Sequence, residues 1–167
     1  MTILSIAFLM YSSTTISANR QREASREGAI ASDAAREMIE NLRSVPFSDL
    51  YALYDHNVLD DPGGRGTAPG PRFAVARLKP VPGMPDDTIG EVQLPEMEVS
   101  PGVWELREDL VRSDLGMPRD LNGDSIIDAR DHALDYVHMP VRIVLVWQGR
   151  FGPRTQSLDT LLVDYRR

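Results

Sequence analysis

The sequence predicts an α+β fold in which a long N-terminal helix packs against a small antiparallel β-sheet. Three observations lead there. Residues 1–18 carry no charge, and from Arg20 the chain becomes densely charged while an apolar stripe of helical period runs on to Val45. The twelve glycines and twelve prolines fall mostly after position 60, with short runs of alternating apolar residues between them, which is the punctuation of turns and strands rather than of a helical bundle. The chain then closes on two apolar-rich runs separated by a Gly-containing connection, the pattern of a hairpin.

The helix is expected to occupy residues 1–45, in two parts. The first, MTILSIAFLMYSSTTISA, is apolar around its whole circumference, with Ile3, Leu4, Ile6, Ala7, Phe8, Leu9 and Met10 sharing no single face. It approaches the roughly 20 residues that cross a bilayer and falls slightly short of them. No Lys or Arg precedes it, so it lacks the charged start of a secretory signal peptide. In the second part, Ala24, Gly28, Ala31, Ala35, Met38, Leu42 and Val45 recur at spacings of four and three, with most of the charges off that seam. The seam begins with small residues, which let another backbone approach, and ends with large ones, which need a core to bury them. Ile3, Ile6, Met10, Ala24, Gly28, Ala31, Ala35, Met38 and Leu42 are therefore the candidate packing and assembly residues. Pro46 ends the helix by forcing its predecessor out of the α region. A plainer reading makes the same stretch a surface helix of an ordinary globular protein.

Residues 46–167 form one globular domain, for which a hydrophobic content of 42% supplies enough core. Phe47, Leu50, Leu53 and Tyr54 predict a short amphipathic turn, and DDPGGRGTAPGPR (60–72) predicts a loop. That glycine-rich loop has no G-K-[ST] after it and so lacks the parts of a phosphate cradle. Strands are expected at 72–79, 90–94 and 103–107, then at 141–147 (VRIVLVW) and 155–164, the last two joined by a longer loop. The net charge of −7 argues against nucleic acid as a partner. The absence of cysteine excludes a disulfide framework and a thiolate metal site.

The sharpest chemical pattern is DLNGDSIIDARD at 120–131. Asp120, Asn122, Asp124, Asp128 and Asp131 stand at the first, third, fifth, ninth and twelfth positions of a calcium loop, and Ile126 offers its backbone carbonyl at the seventh. Oxygen donors at this spacing suit a hard cation, and Ile127 is expected to anchor the loop to the core. Two positions depart from the pattern. Ser125 replaces the glycine of the sixth position, at a cost on the order of 1 kcal/mol if positive φ is needed there, and Asp131 replaces the bidentate Glu of the twelfth. The plainer alternative is a solvated acidic turn.

The apolar start, the continuation EASREGAIASDAAREMIENLRSVPF, the single calcium-type loop and the closing MPVRIVLVWQGRFGPRTQSLDTLLVDYR together resemble a minor pilin or pseudopilin. The nearest group is that of type IV pilus modification (PilV-like) proteins and type II secretion minor pseudopilins. The resemblance spans the chain, firmest at the helix and weakest over 60–114. It implies a long helix laid on a small sheet, assembly with other pilin or pseudopilin subunits through that helix, and a single-pass inner-membrane location with the domain in the periplasm or on an extracellular filament. The acidic loop is expected to stabilise the sheet by binding calcium after export, and no small-molecule substrate is expected. The family's processing motif, Gly followed by Phe-Thr-Leu-x-Glu, is absent, so two to three turns of helix are expected upstream.

An enzymatic role is not expected. His56, His132 and His138 form no H-E-x-x-H pattern, and Ser157 and Asp159 have no histidine beside them. The acidic loop also looks like half of a dockerin, but dockerins carry two such loops, and Pro118 stands where an entering helix would be. A membrane-anchored calcium-binding or dockerin-like interaction protein is the alternative function.

Overall fold

The computed structural model describes the backbone at residues 2–84 and 88–164, and the side chains of these from Asn19 onward. Ile3, Ile6 and Met10 therefore lie outside the described side chains. Helix α1 runs Thr2–Ser44 and is followed at Phe47–Asp49 by a single 3₁₀ turn that leads into α2, Leu50–Tyr54. Six strands follow: β1 Arg72–Phe73, β2 Gly90–Gln93, β3 Glu96–Ser100, β4 Val103–Leu106, β5 His138–Gly149 and β6 Gly152–Val163. They make a four-stranded sheet in the order β1-β2-β5-β6 and a separate β3-β4 ribbon, every pair antiparallel.

The fold is α+β, but the small sheet expected from the sequence is corrected to a larger, six-stranded arrangement. Two causes account for the difference. The connection read as a long loop is instead a turn of Arg150 and Phe151, because Gly149 pairs with Gly152 and both strands extend to twelve residues. Strand β3 was invisible as a sequence pattern because EMEVS is mostly exposed and carries two acids. The expected strand at 72–79 shortens to Arg72–Phe73, and Arg77 sits in the left-handed region at φ 70°.

The expected inner-membrane, single-pass location is corrected as well. Among the described residues no helix is long and apolar enough to cross a membrane. The sequence gives the reason: Ser5, Ser12, Ser13, Thr14, Thr15 and Ser17 dilute the uncharged run, and Asn19 and Arg20 end it at once.

Helix α1 lies along the β5-β6 hairpin. Strand β5 buries Val141, Ile143, Leu145 and Trp147 on one face, and their partners across the ladder are Thr160, Leu158, Gln156 and Arg154. Ala31, Ala35, Ile39 and Leu42 of α1 are buried in the same core. The small Ala31 and Ala35 bring the helix close to the sheet, and polar ties fix its direction. Gln156 donates to Ser32 Oγ at 2.7 Å, and near the hairpin tip Glu27 accepts from Trp147 Nε1 at 3.4 Å while Arg154 lies 3.6 Å from it. Gly149 makes room for Glu27, since a Cβ there would sit 2.8 Å from the carboxylate. At the other end of the sheet the Phe73 ring covers Gly90, leaving about 2.1 Å for any added Cβ.

Candidate cation loop

The chain leaves β4 at Leu106, whose side chain is fully buried, and two residues later the same strand parity carries Glu108 inward. Glu108 is fully buried and acts as the hub of the acidic loop. Its Oε1 accepts the backbone N–H of Leu121 at 2.6 Å and of Asn122 at 3.2 Å, and its Oε2 accepts that of Asp128 at 3.3 Å. One carboxylate therefore holds both limbs of the loop from behind. Leu121 anchors it to the core, and its carbonyl accepts from Val137 and His138 as the chain returns to β5. Ile127, expected as the anchor, is instead 49% exposed, because Leu121 already fills the core position.

At the front of the loop, side chains of the DxNxD run fold back onto their own backbone. Asp120 accepts from Gly123 N at 2.6 Å and Ser125 N at 2.8 Å, Asn122 from Asp124 N at 3.0 Å, and Asp124 from Ile126 N at 2.7 Å. Such turns are what Asp and Asn supply most readily. Burial pushes the Asp120 carboxyl up, but the N–H groups of Ser125 and Gly123 outweigh it and hold the group below the usual carboxylate range. Ser125 has φ 68°, so the sixth position does demand the left-handed conformation that glycine adopts without cost.

The predicted ligands do not all converge. Asp120, Asn122 and Asp124 are neighbours, with Asn122 Nδ2 3.2 Å from Asp124 Oδ2. Asp128 is engaged elsewhere, with the Arg130 guanidinium at 2.6 Å, which together with the Arg130 N–H holds its carboxyl down at about 2. Asp131 Oδ1 accepts the N–H groups of Leu106 at 3.0 Å and Ala133 at 3.1 Å, so it pins the end of the loop to β4. The Ile126 side chain is exposed, as a residue that contributes only its carbonyl can be.

The structure adds residues that the loop pattern does not contain. His132 is almost completely buried, with Nδ1 3.0 Å from Asp135 Oδ1 and Nε2 3.3 Å from Asp128 Oδ1 and 3.5 Å from Glu108 Oε2. Glu108, Asp128 and His132 each bring one ligand atom within 4.8 Å of the others, and this group, buried except at Asp128, could hold a metal ion. Their signals in the sequence were weak: an acid at inward parity two residues after Leu106, and a histidine directly after the twelfth loop position. Comparison with known proteins yields no match, whether with family models, curated proteins or solved structures.

Proposed function

We propose that the protein is a structural subunit of a helical filament of the type IV pilus or type II secretion pseudopilus kind, assembling through α1. The observation that carries this reading is the stretch of helix before Ala31, which over residues 19–30 has no buried side chain. At 43 residues α1 is about 65 Å long, yet none of residues 19–30 is buried, and its deep packing begins only at Ala31. Gly28 supports the same reading. A helical glycine costs roughly 0.5–1 kcal/mol relative to alanine, and here a Cβ would meet nothing within 4 Å, so its own domain gives no reason for it. A neighbouring helix approaching that face would supply one.

The sequence lacks cysteine, so introduced thiols report contacts without background. Ala24→Cys or Gly28→Cys, expressed together with filament partners, should yield disulfide-linked pairs along α1, while Arg36→Cys, off the seam, should not. If neither seam position links to any partner while filaments still assemble, α1 is not the assembly element.

In this reading calcium stabilises the acidic loop. The donor set fits a hard cation, being entirely oxygen at the first, third, fifth, seventh, ninth and twelfth positions, and Ser125 already has the backbone conformation of the sixth. Asp120, Asn122, Asp124 and the Ile126 carbonyl would hold the ion, and Asp128 would have to leave Arg130, with Asp131 offering its second oxygen, to complete the shell. Its contribution is positive charge among four carboxylates. Calorimetry on the full chain should show binding at dissociation constants of roughly 10⁻⁵ to 10⁻³ M, lost in Asp120→Ala and in Asp124→Ala. No heat at millimolar calcium reduces the loop to an acidic turn.

A further inference from the structure

Behind the acidic loop, the buried His132 turns one ring nitrogen toward two carboxylates and the other toward a third. Its backbone N–H donates to the Leu106 carbonyl at 2.9 Å while Asp131 Oδ1 accepts the Leu106 N–H at 3.0 Å, which holds the histidine beside the end of β4, close to Glu108. The His132 carbonyl accepts from the N–H groups of Asp135 and Tyr136, each at 3.2 Å, and that turn sets Asp135 Oδ1 3.0 Å from Nδ1.

Nε2 stands 3.3 Å from Asp128 Oδ1 and 3.5 Å from Glu108 Oε2. Both distances exceed the roughly 2.7–3.2 Å of an N–H···O bond, and a charge-assisted bond is shorter still. Two donor atoms bound to one tetrahedral zinc-type ion, by contrast, stand about 3.3–3.6 Å apart. Each atom also has a lone pair to give. A neutral imidazole that donates Nδ1–H to Asp135 presents Nε2 as an acceptor. Glu108 Oε2 spends one lone pair on the N–H of Asp128, and Asp128 Oδ1 spends one on that of Arg130 at 2.8 Å, which leaves one on each. Glu108 is fully buried and, among the described residues, forms no ion pair with Lys or Arg, so its charge lacks a permanent counterion.

We infer that Nε2 of His132, with one oxygen each from Glu108 and Asp128, forms a site for a zinc-type divalent cation, oriented by Asp135 through Nδ1. A nitrogen among the donors selects the first-row metals over calcium and magnesium, which prefer oxygen. A carboxylate on the far ring nitrogen is the usual support of a metal-binding histidine. Asp128, whose side chain is 26% exposed, gives the ion its way in. The site takes Asp128 as it stands, with Oδ2 on the Arg130 guanidinium, whereas the calcium shell of the loop requires that pair to open. The two ions therefore compete for one carboxylate, and zinc binding needs no calcium in the loop.

The test is zinc calorimetry on the full chain, with cobalt as a substitute whose visible d–d bands report a tetrahedral nitrogen and oxygen shell. One equivalent of zinc and the cobalt bands are expected, both lost in His132→Gln. The buried His132→Gln variant risks misfolding, so Asp128→Asn and the half-exposed Asp135→Asn carry the experiment beside it. Asp135→Asn should weaken zinc roughly 10- to 100-fold, and Asp128→Asn should weaken it further. His138→Gln and Asp124→Ala should leave the zinc equivalent intact. Parental affinity in Asp128→Asn and Asp135→Asn, or loss of binding in His138→Gln, would overturn the inference. So would a proton on Nε2 of His132, seen by nuclear magnetic resonance, that persists with zinc in excess. Asp124→Ala removes the calcium response proposed for the loop and spares the zinc equivalent, so the two ions are told apart.

Discussion

Ser125 shows how much a single position can reveal in advance. The numbering of the loop marks it as the residue where glycine belongs, and its φ of 68° confirms that the backbone makes that demand. Ser125→Gly should therefore stabilise the domain by about 0.5–1 kcal/mol, the relief of a left-handed residue less the extra freedom of glycine in the unfolded chain, as read by urea denaturation. Glu108 is the opposite case, because no spacing rule leads to it and only strand parity points inward. Glu108→Ala leaves the N–H groups of Leu121 and Asn122 without their acceptor and should cost roughly 2–4 kcal/mol. Glu108→Gln, which keeps an acceptor oxygen, should cost less. Asp131 was legible as an acid in a loop. Its bond to Leu106 was not, because that contact depends on where β4 ends.

At the scale of elements, the seam of α1 was readable because helical period and burial coincide. Ala31, Ala35 and Leu42 are buried and Met38 is half-buried, whereas Ala24 and Gly28 are only partly covered. Ala31→Glu or Ala35→Glu should lower stability by at least about 3 kcal/mol by burying a charge with no partner. Glu at Asp33 or Arg36, on the exposed face, should change it by no more than about 0.5 kcal/mol. Equal melting temperatures for the four variants would show that the helix does not pack on the sheet. Strands were less legible where tertiary context decides. The alternating RFAVARLK pairs only through Arg72 and Phe73, and β2 contains a glycine that reads as a weak point until the Phe73 ring is seen lying on it. Gly90→Ala should displace that ring and cost about 1–3 kcal/mol by overpacking, measurable as a lower midpoint in urea.

For the whole molecule, an acidic loop in a chain of net charge −7 makes the response to divalent cations the measurement to take. If calcium binds only the folded chain, a concentration a hundredfold above the dissociation constant adds about 2.7 kcal/mol and should raise the melting temperature by roughly 5–10 °C. Chelation should reverse it, and magnesium should substitute poorly because it demands tight octahedral geometry. An unchanged melting curve with and without chelator would remove cations from the account of stability.

The stretch of α1 over residues 19–30, which carries no buried side chain, has a mechanical side. A pull along α1 from its N-terminal side reaches the domain where Arg20 lies over the Phe151 ring and Glu27 meets Trp147 and Arg154, and then along Ala31, Ala35, Ile39 and Leu42, so the apolar interface is sheared along its length while the long β5-β6 ladder lies beside the load path. Small flat alanines offer little interlocking against sliding, and the Gln156–Ser32 and Arg154–Glu27 ties act as the stops. Tension along α1 is therefore expected to slide the helix along the sheet until these ties break, leaving the β5-β6 ladder intact.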